Sequence, residues 1–276
     1  MARKRLVEKR KIFTIFFVVV VQCGQVVTVY AAGYGGRMEI KMSDELKAAE
    51  GLDNKGINQN DKVLNDRQPV NEAEPKVKED PGFPAGDTGT AMLMRMNEHH
   101  KPLREWGFGF IEWRPGMEIL DVGCGGGAAI HEMLRLSEGS IVKGIDHSDE
   151  SISLSRVLNA EAIKYERCRI EKAKVEQMPF IDGEFDLVTA METMYFWHDP
   201  LAAMREIKRV LKRDGTFAVI TEACSHDAWE EDRKKYPGIF KVYTPEEIAD
   251  IMRSAGFRDI HAERGEGENT IVLGVK

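Results

Sequence analysis

A chain of 276 residues, 42% apolar and 31% charged, is long enough to bury a core and by length alone suggests about two domains. Its formal charge of −7 hides an asymmetry: residues 1–37 hold seven Lys or Arg against one acidic residue, net +6, which leaves 32 basic and 45 acidic residues, net −13, in the remainder. A body that acidic repels phosphate backbones, so a nucleic-acid partner is disfavoured, and the composition excludes collagen-like, disulfide-scaffold and wholly disordered chains.

Residues 1–11 (MARKRLVEKRK) are basic and Ile12–Val21 (IFTIFFVVVV) is apolar apart from Thr14. A weaker stretch to Ala32 follows, interrupted by Gln22, Cys23 and Gln25. This is the layout of a secretory signal or a short anchor, and residues 12–32 are a marginal candidate transmembrane helix against the ~20 residues a span needs. A third reading places the start at Met38 or Met42, because Gly35-Gly36-Arg37-Met38 can be encoded by a purine-rich ribosome-binding site running into a start codon. From Ser43 to about Thr90 the chain is polar, with Pro69, Pro75, Pro81 and Pro84, and reads as a linker with one short helix at Asp44–Ala49. The expected organisation is a signal-like or anchor-like segment 1–37, a flexible linker 38–87 and a folded domain 88–276, opened by a helical cap at 88–113.

Met92, Leu93, Met96, Leu103 and Trp106 follow helical spacing, giving one or two helices over Thr90–Trp113 broken near Pro102 and Gly107. Strands are expected at Met117–Val122, Ile141–Ile145, Ile170–Val175, Phe185–Ala190, Thr216–Thr221, Arg258–Glu263 and Thr270–Val275. Helices fall between them at Ala128–Leu136, Glu150–Ala162, Pro200–Leu211 and from Thr244, as N-cap, to Gly256. Strand and helix alternate until the last two strands, which a short loop joins directly. A direct hairpin requires antiparallel neighbours, so the fold class is α/β: a doubly wound, Rossmann-like sheet of seven strands, mostly parallel with one reversed strand near the C-terminus, and helices on both faces.

The chemistry is carried by the loop after the first of these strands. Asp121-Val122-Gly123-Cys124-Gly125-Gly126-Gly127 fits D-x-G-x-G-x-G between a strand and a helix, where glycines let a ligand lie against the backbone and free N–H groups attract an anion. Gly123-x-Gly125-x-x-Ala128 also satisfies the dinucleotide pattern. Asp146 closes the second strand, where a carboxylate can accept both ribose hydroxyls of an adenosyl group; that too suits either cofactor. Cys23, Cys124, Cys168 and Cys224 are widely spaced and form no C-x-x-C, so reduced thiols are expected, with neither a disulfide framework nor a metal site.

Five blocks in order, ILDVGCGGG (Ile119–Gly127), GIDHS (Gly144–Ser148), VEQMPFIDGEFDLVTAMETMYFW (Val175–Trp197), EIKRVLKRDGTFAV (Glu206–Val219) and YTPEEIADIMRSAGF (Tyr243–Phe257), resemble the class I S-adenosylmethionine-dependent methyltransferases. Within that class the resemblance is to the small-molecule branch of ubiquinone and menaquinone methyltransferases, and it extends from about Gly86 to Lys276. It implies S-adenosyl-L-methionine as cofactor. Asp121, Gly123, Gly125 and Gly127 would hold its methionine and ribose portion, Asp146 the ribose hydroxyls, and His147 would lie beside the adenine, bordered by Val175 and Glu176. Ala190, Met191 and Glu192 would form the floor below the methyl group. The chain departs from the pattern at Lys174, where family members often carry an Asp that bonds the adenine amino group.

Methyl transfer is an in-line displacement in which the sulfonium charge disappears, so positioning and exclusion of water supply most of the catalysis. An acceptor that must lose a proton needs a base. His198 is the first candidate, with Glu222 or His226 as others; for His198 the competing role is a solvated cap of the following helix. Tyr195-Phe196-Trp197 would either wall an apolar acceptor or pack. The adjacent His99 and His100 would point about 100° apart on a helix, which favours a satisfied or exposed role over substrate gating. No N-P-P-[YFW] follows the fourth strand, which argues against nucleobase or glutamine amides, and Cys224–Val242 reads as a lid whose Trp229, Tyr236 and Phe240 among charges suit an amphipathic small molecule. The expected function is methyl transfer to an unidentified small molecule, the alternatives being an NAD(P)-dependent oxidoreductase on the same loop or a non-catalytic cofactor-binding or interaction protein. A user of S-adenosylmethionine belongs in the cytoplasm, with residues 38–276 as its functional chain; a membrane partner enters only if residues 12–32 are retained as an anchor.

Overall fold

The computed structural model describes residues 14–21, 25–34, 37–41, 80–225, 230, 234 and 241–276. The expected helix at Asp44–Ala49, most of the linker, His226 and most of the segment Cys224–Val242, with Trp229, Tyr236 and Phe240, lie outside the described residues. The chain divides into two units, Met1–Lys76 and Val77–Lys276. In the first, β1 (Thr14–Val21), β2 (Gln25–Tyr34) and β3 (Arg37–Lys41) form an antiparallel sheet in that order. This corrects the candidate transmembrane helix: Val18–Val21 and Val26–Thr28 are β-branched, and such side chains lose rotamer freedom in a helix and suit a strand. Among the described residues no helix is long and apolar enough to cross a membrane.

The second unit opens with α1 (Gly86–His99) and α2 (Lys101–Phe108), then alternates β4 (Glu118–Val122), α3 (Ala128–Leu136), β5 (Ile141–Asp146), α4 (Asp149–Leu158), α5 (Ala160–Lys164) and β6 (Cys168–Lys172). It continues through β7 (Phe185–Met191), α6 (Pro200–Val210), β8 (Leu211–Thr221), α7 (Pro245–Ala255), β9 (Arg258–Arg264) and β10 (Thr270–Val275). The seven strands lie in the order β6-β5-β4-β7-β8-β10-β9. Pairings from β6 to β8 are parallel, whereas β10 runs antiparallel to both β8 and β9. The chain therefore works outward from β4 to one edge and returns to β7 on its other side, which opens a crevice beyond the carboxyl ends of β4 and β7.

The strands read as near-continuous apolar runs because both faces are covered, and successive residues divide between two cores. Leu120, Val188, Phe217, Val219 and Val272 pack with Ala203, Met204 and Ile207 of α6 and Ile248 and Met252 of α7. Their neighbours Ile119, Leu187, Ala218, Ile220 and Ile271 pack on the other face with Leu103 of α2, Ile130 and Met133 of α3 and Ile152 of α4. Each of these side chains other than the alanines, removed from water, contributes about 1.5–3 kcal/mol.

Capping is as the sequence indicates for α7: the Thr244 hydroxyl accepts from Glu247 N at 3.2 Å, the Glu247 carboxylate accepts from Thr244 N at 2.9 Å, and Gly256 ends the helix at φ 90°. Several boundaries differ, and the two opening helices run from Gly86 to Phe108 rather than over Thr90–Trp113. The helix expected over Glu150–Ala162 breaks at Asn159, whose side chain donates to Ser155 O (3.0 Å) and Gly127 O (3.1 Å) instead of leaving the helix intact. The third strand spans Cys168–Lys172 rather than Ile170–Val175, ending where its partner β5 ends, at the Asp146–Lys172 pair. β8 starts at Leu211, five residues early, because Leu211 already pairs with Phe185; the polar Lys212-Arg213-Asp214 that reads as a turn is an irregularity within the strand.

Candidate active site

The crevice holds a cavity of about 530 Å³, within the range of about 300–1,000 Å³ common for small-molecule sites. Its walls come from the ends of β4 and β5, the segment after β6, the turn after β7, helix α1 and the residues Pro81–Pro84.

The glycine loop is built into this wall. Gly123 N and Cys124 N donate to Ile145 O at 2.8 and 3.0 Å, which ties the end of β4 to β5. Gly123 has φ 71°, and a Cβ there would stand 2.8 Å from Thr193 Cβ and closer still to its hydroxyl, so no larger residue fits between the two strand ends. Gly125 N donates to Asp146 Oδ2 and Ser148 N to Asp146 Oδ1, both at 2.9 Å. A carboxylate has about four acceptor positions, so these two bonds fix Asp146 and leave capacity for two more donors. That free capacity, on a largely buried side chain bordering the cavity, fits the paired hydroxyls of an adenosyl ribose.

Of the residues expected to bind the cofactor, Gly123, Gly125, Asp146, His147, Val175 and Glu176 all border this cavity, as does Lys174. The His147 ring packs on Phe83 at 5.4 Å. Asp121 and Met191 border instead an adjoining hollow of about 60 Å³, which shares Leu93, Met96, Gly123, Gly125 and Glu192 with the main cavity. Asp121 is buried and accepts from the Thr189 hydroxyl at 2.7 Å; burial raises its pKa to about 7 against that bond. Gly127 and Ala190 border neither space. Ala190 is a fully buried core residue, and Gly127, at φ 80°, is the N-cap of α3, where a Cβ would collide with Ser155 and Asn159 at the next helix.

At the other wall Phe196, Trp197 and His198 border the cavity, with His198 exposed at its rim and followed by Asp199, which caps α6. Tyr195 turns inward and its hydroxyl donates to Glu192 Oε2 at 3.0 Å. The Glu192 backbone is left-handed, φ 53°, a conformation that is uncommon for a residue with a Cβ and costs of order 1 kcal/mol or more. Its other oxygen accepts from Glu222 N at 2.7 Å. Burial, then the neighbouring Glu222 charge, pushes the Glu192 carboxyl up to about 8.

Glu222 does not border the cavity. It lies behind Glu192, with Oε1 at 3.2 Å from His99 Nε2 and 3.7 Å from His100 Nε2. His100 Nε2 is also 3.8 Å from Glu192 Oε2; burial, then His99 and Arg104, lowers the His100 pKa to about 4. This corrects the divergence expected of the two histidines. α1 ends at His99, His100 takes a non-helical junction conformation (φ −81°, ψ 5°), and α2 restarts with Pro102 in its first turn. The break turns both rings toward one carboxylate, with centroids 5.2 Å apart. Spacing in the sequence carries no sign of that convergence; the adjacent Pro102 is the one clue that a continuous helix would fail.

Residues 120–219 match the family model described as a methyltransferase domain. The chain is 36% identical over 157 residues to cycloartenol-C-24-methyltransferase 1 of Oryza sativa subsp. japonica, covering 53% of this chain and 45% of that protein. It is 32% identical over 127 residues to the ubiquinone biosynthesis O-methyltransferase of Haemophilus ducreyi, covering 44% and 52%. The chain thus spans about half the length of the curated relatives it matches. Among solved structures, a SAM-dependent methyltransferase from Aquifex aeolicus superposes with a TM-score of 0.55 at 19% identity, over 67% of this chain and 97% of that one. A geranyl diphosphate C-methyltransferase from Streptomyces coelicolor A3(2) does so with 0.54 at 14%, over 71% and 86%. With the sheet order, the glycine loop and Asp146 already in place, residues 120–219 form a methyltransferase domain with the fold of the class I S-adenosylmethionine-dependent enzymes, and S-adenosylmethionine is its cofactor.

Proposed function

We propose that the chain transfers the methyl group of S-adenosylmethionine to a small-molecule acceptor with a largely apolar body. The observation that carries the reading is that one cavity is bordered both by Asp146, with acceptor capacity to spare, and by Leu93, Met96, Phe196, Trp197 and Glu192, an apolar wall with a single buried carboxylate. Relatives named for cycloartenol C-24 methylation and for ubiquinone biosynthesis support an apolar acceptor, and net −13 over residues 38–276 supports a small molecule over a nucleic acid. On this reading the domain works in the cytoplasm, where its cofactor is made.

Asp146 would accept hydrogen bonds from the ribose hydroxyls, His147, Lys174, Val175 and Glu176 would enclose the adenine, and Gly123 and Gly125 would lie against the methionine portion. Bound there, S-adenosylmethionine supplies an electrophilic methyl group on a sulfonium. Met191 and Glu192 stand at the methyl end, and Phe196 and Trp197 hold the acceptor body and keep water out, so that the attacking atom is already in line. Where the acceptor must lose a proton, Glu192 or His198 takes it, as the two acid–base groups at that wall. Glu222 acts through Glu192 by its backbone N–H, and Gly127, Ala190 and Asp121 support the loop and floor.

S-adenosylhomocysteine should raise the melting temperature of the full chain and NADH should not, and Asp146→Ala should abolish the shift. Labelled methyl from S-adenosylmethionine should then enter the small-molecule fraction of a cell extract. An NADH shift without one from S-adenosylhomocysteine refutes the reading in favour of an oxidoreductase, and cofactor binding without transfer to any extract favours a non-catalytic role.

A further inference from the structure

The polar cluster behind Glu192 has a composition that methyl transfer does not require. Two parts of the chain distant in sequence converge there: the α1–α2 junction, with His99 and His100, and Glu222, the residue after β8. The ligand atoms of His99, His100 and Glu222 all lie within 4.8 Å of one another, and two of the separations are 3.2 and 3.7 Å. Ligands bound at about 2.0–2.2 Å to a common ion stand roughly 3.0–3.6 Å apart in tetrahedral or octahedral geometry. The observed spacing therefore needs only a small closure, and the His99 side chain, 68% exposed, is free to make it.

The surroundings point the same way. Glu192 and Glu222 are neighbouring carboxylates, and among the described residues their only ion-pair partners are His99 and His100. Glu192 Oε2, 3.8 Å from His100 Nε2, offers a fourth ligand atom nearby. The scaffold is held before any ion arrives: Glu222 N is bonded to Glu192 Oε1, Tyr195 is bonded to Oε2, and the His100 backbone is tied to Met96 O and Arg104 N on either side of the helix break. Outer hydrogen bonds of this kind orient ligands in established metal centres.

We infer that His99, His100 and Glu222 form a binding site for a first-row divalent transition ion such as Zn2+, with Glu192 as a fourth or outer ligand. Two imidazoles and one or two carboxylates suit that class of ion better than Ca2+ or Mg2+, which take oxygen ligands. The site shares only Glu192 with the proposed acceptor wall, and its test needs no methyl transfer.

The full chain, freed of metal with a chelator, is titrated with Zn2+ by calorimetry and with Co2+ by visible absorption. One Zn2+ per chain and ligand-field bands from one Co2+ are expected. His99→Ala and Glu222→Gln should each weaken binding at least about tenfold and diminish the bands. His261→Ala, on the exposed edge strand β9, should change neither. His99 is exposed, so its variant tests the site even if Glu222→Gln fails to fold. Absence of binding at millimolar Zn2+, or binding indifferent to His99→Ala, overturns the assignment.

Discussion

Gly127→Ala separates two roles that the glycine loop combines. Gly127 has φ 80°, and for a residue with a Cβ the left-handed region costs about 1–2 kcal/mol. The added methyl would stand 2.7 Å from Asn159 Nδ2 and 2.8 Å from Ser155 Cα, with the Ser155 hydroxyl closer still. The Cα belongs to α4, so a rotamer change cannot relieve the overlap, and overpacking of that kind costs about 1–3 kcal/mol more. The Asn159 bond to Gly127 O lies in the same spot. Together these give a loss of about 2–5 kcal/mol, which for a domain of this size lowers the melting temperature by roughly 5–15 °C. Because Gly127 does not border the cavity, the folded fraction should bind S-adenosylhomocysteine within about threefold of the parent, 0.7 kcal/mol or less. Urea unfolding followed by tryptophan fluorescence gives the first quantity and calorimetry the second. A variant of unchanged stability whose affinity falls tenfold would show that Gly127 touches the cofactor, and the packing argument would be wrong.

Asp121→Asn tests the buried carboxyl. Its folded pKa, about 7, lies above the ordinary 3.8, so its contribution to stability is complete below pH 3.8 and is lost as pH rises to about 7. The asparagine variant should therefore gain on the parent by roughly 3 kcal/mol between pH 5 and pH 8, and a pH-independent difference in urea unfolding would contradict that ionisation. Thr244→Ala removes the hydroxyl that accepts from Glu247 N and should cost about 1 kcal/mol with no change in cofactor affinity; a calorimetric melt with no loss would mean the cap is idle. Phe217→Ala empties a fully buried position of β8 that packs on Phe257 at 5.6 Å, and should cost about 3–5 kcal/mol by urea unfolding, where a loss below 1 kcal/mol would imply that the core closes around the gap.

Much of the architecture is local in origin and so is legible in the sequence. Pro245 after Thr244, Gly256 after Ala255 and the apolar runs ILDV and FDLVT specify caps and strands through contacts a few residues long, and the short loop between Arg264 and Thr270 forces the reversed last strand. The adenosyl end of the site is legible for the same reason: Asp146 stands at the end of a strand next to the glycine loop, and parallel pairing of β4 with β5 brings the two together. The helix break at Asn159 and the strand start at Leu211 depend on partners 32 and 26 residues away, which no local pattern encodes.

What the sequence determines by itself is the alternation of strands and helices, the glycine-rich turn and the carboxylate beside it, because backbone conformation and burial periodicity are set by neighbours along the chain. Tertiary structure alone decides which of the loop glycines border the cavity and which pack, and it alone gathers His99, His100, Glu192 and Glu222 around one point. Those four residues are separated by up to 123 positions, and their meeting depends on a helix break at His100 and on the adjacency of β7 and β8. Proximity created by sheet order leaves no periodic trace in the sequence, which is why the polar cluster emerged only from the folded chain.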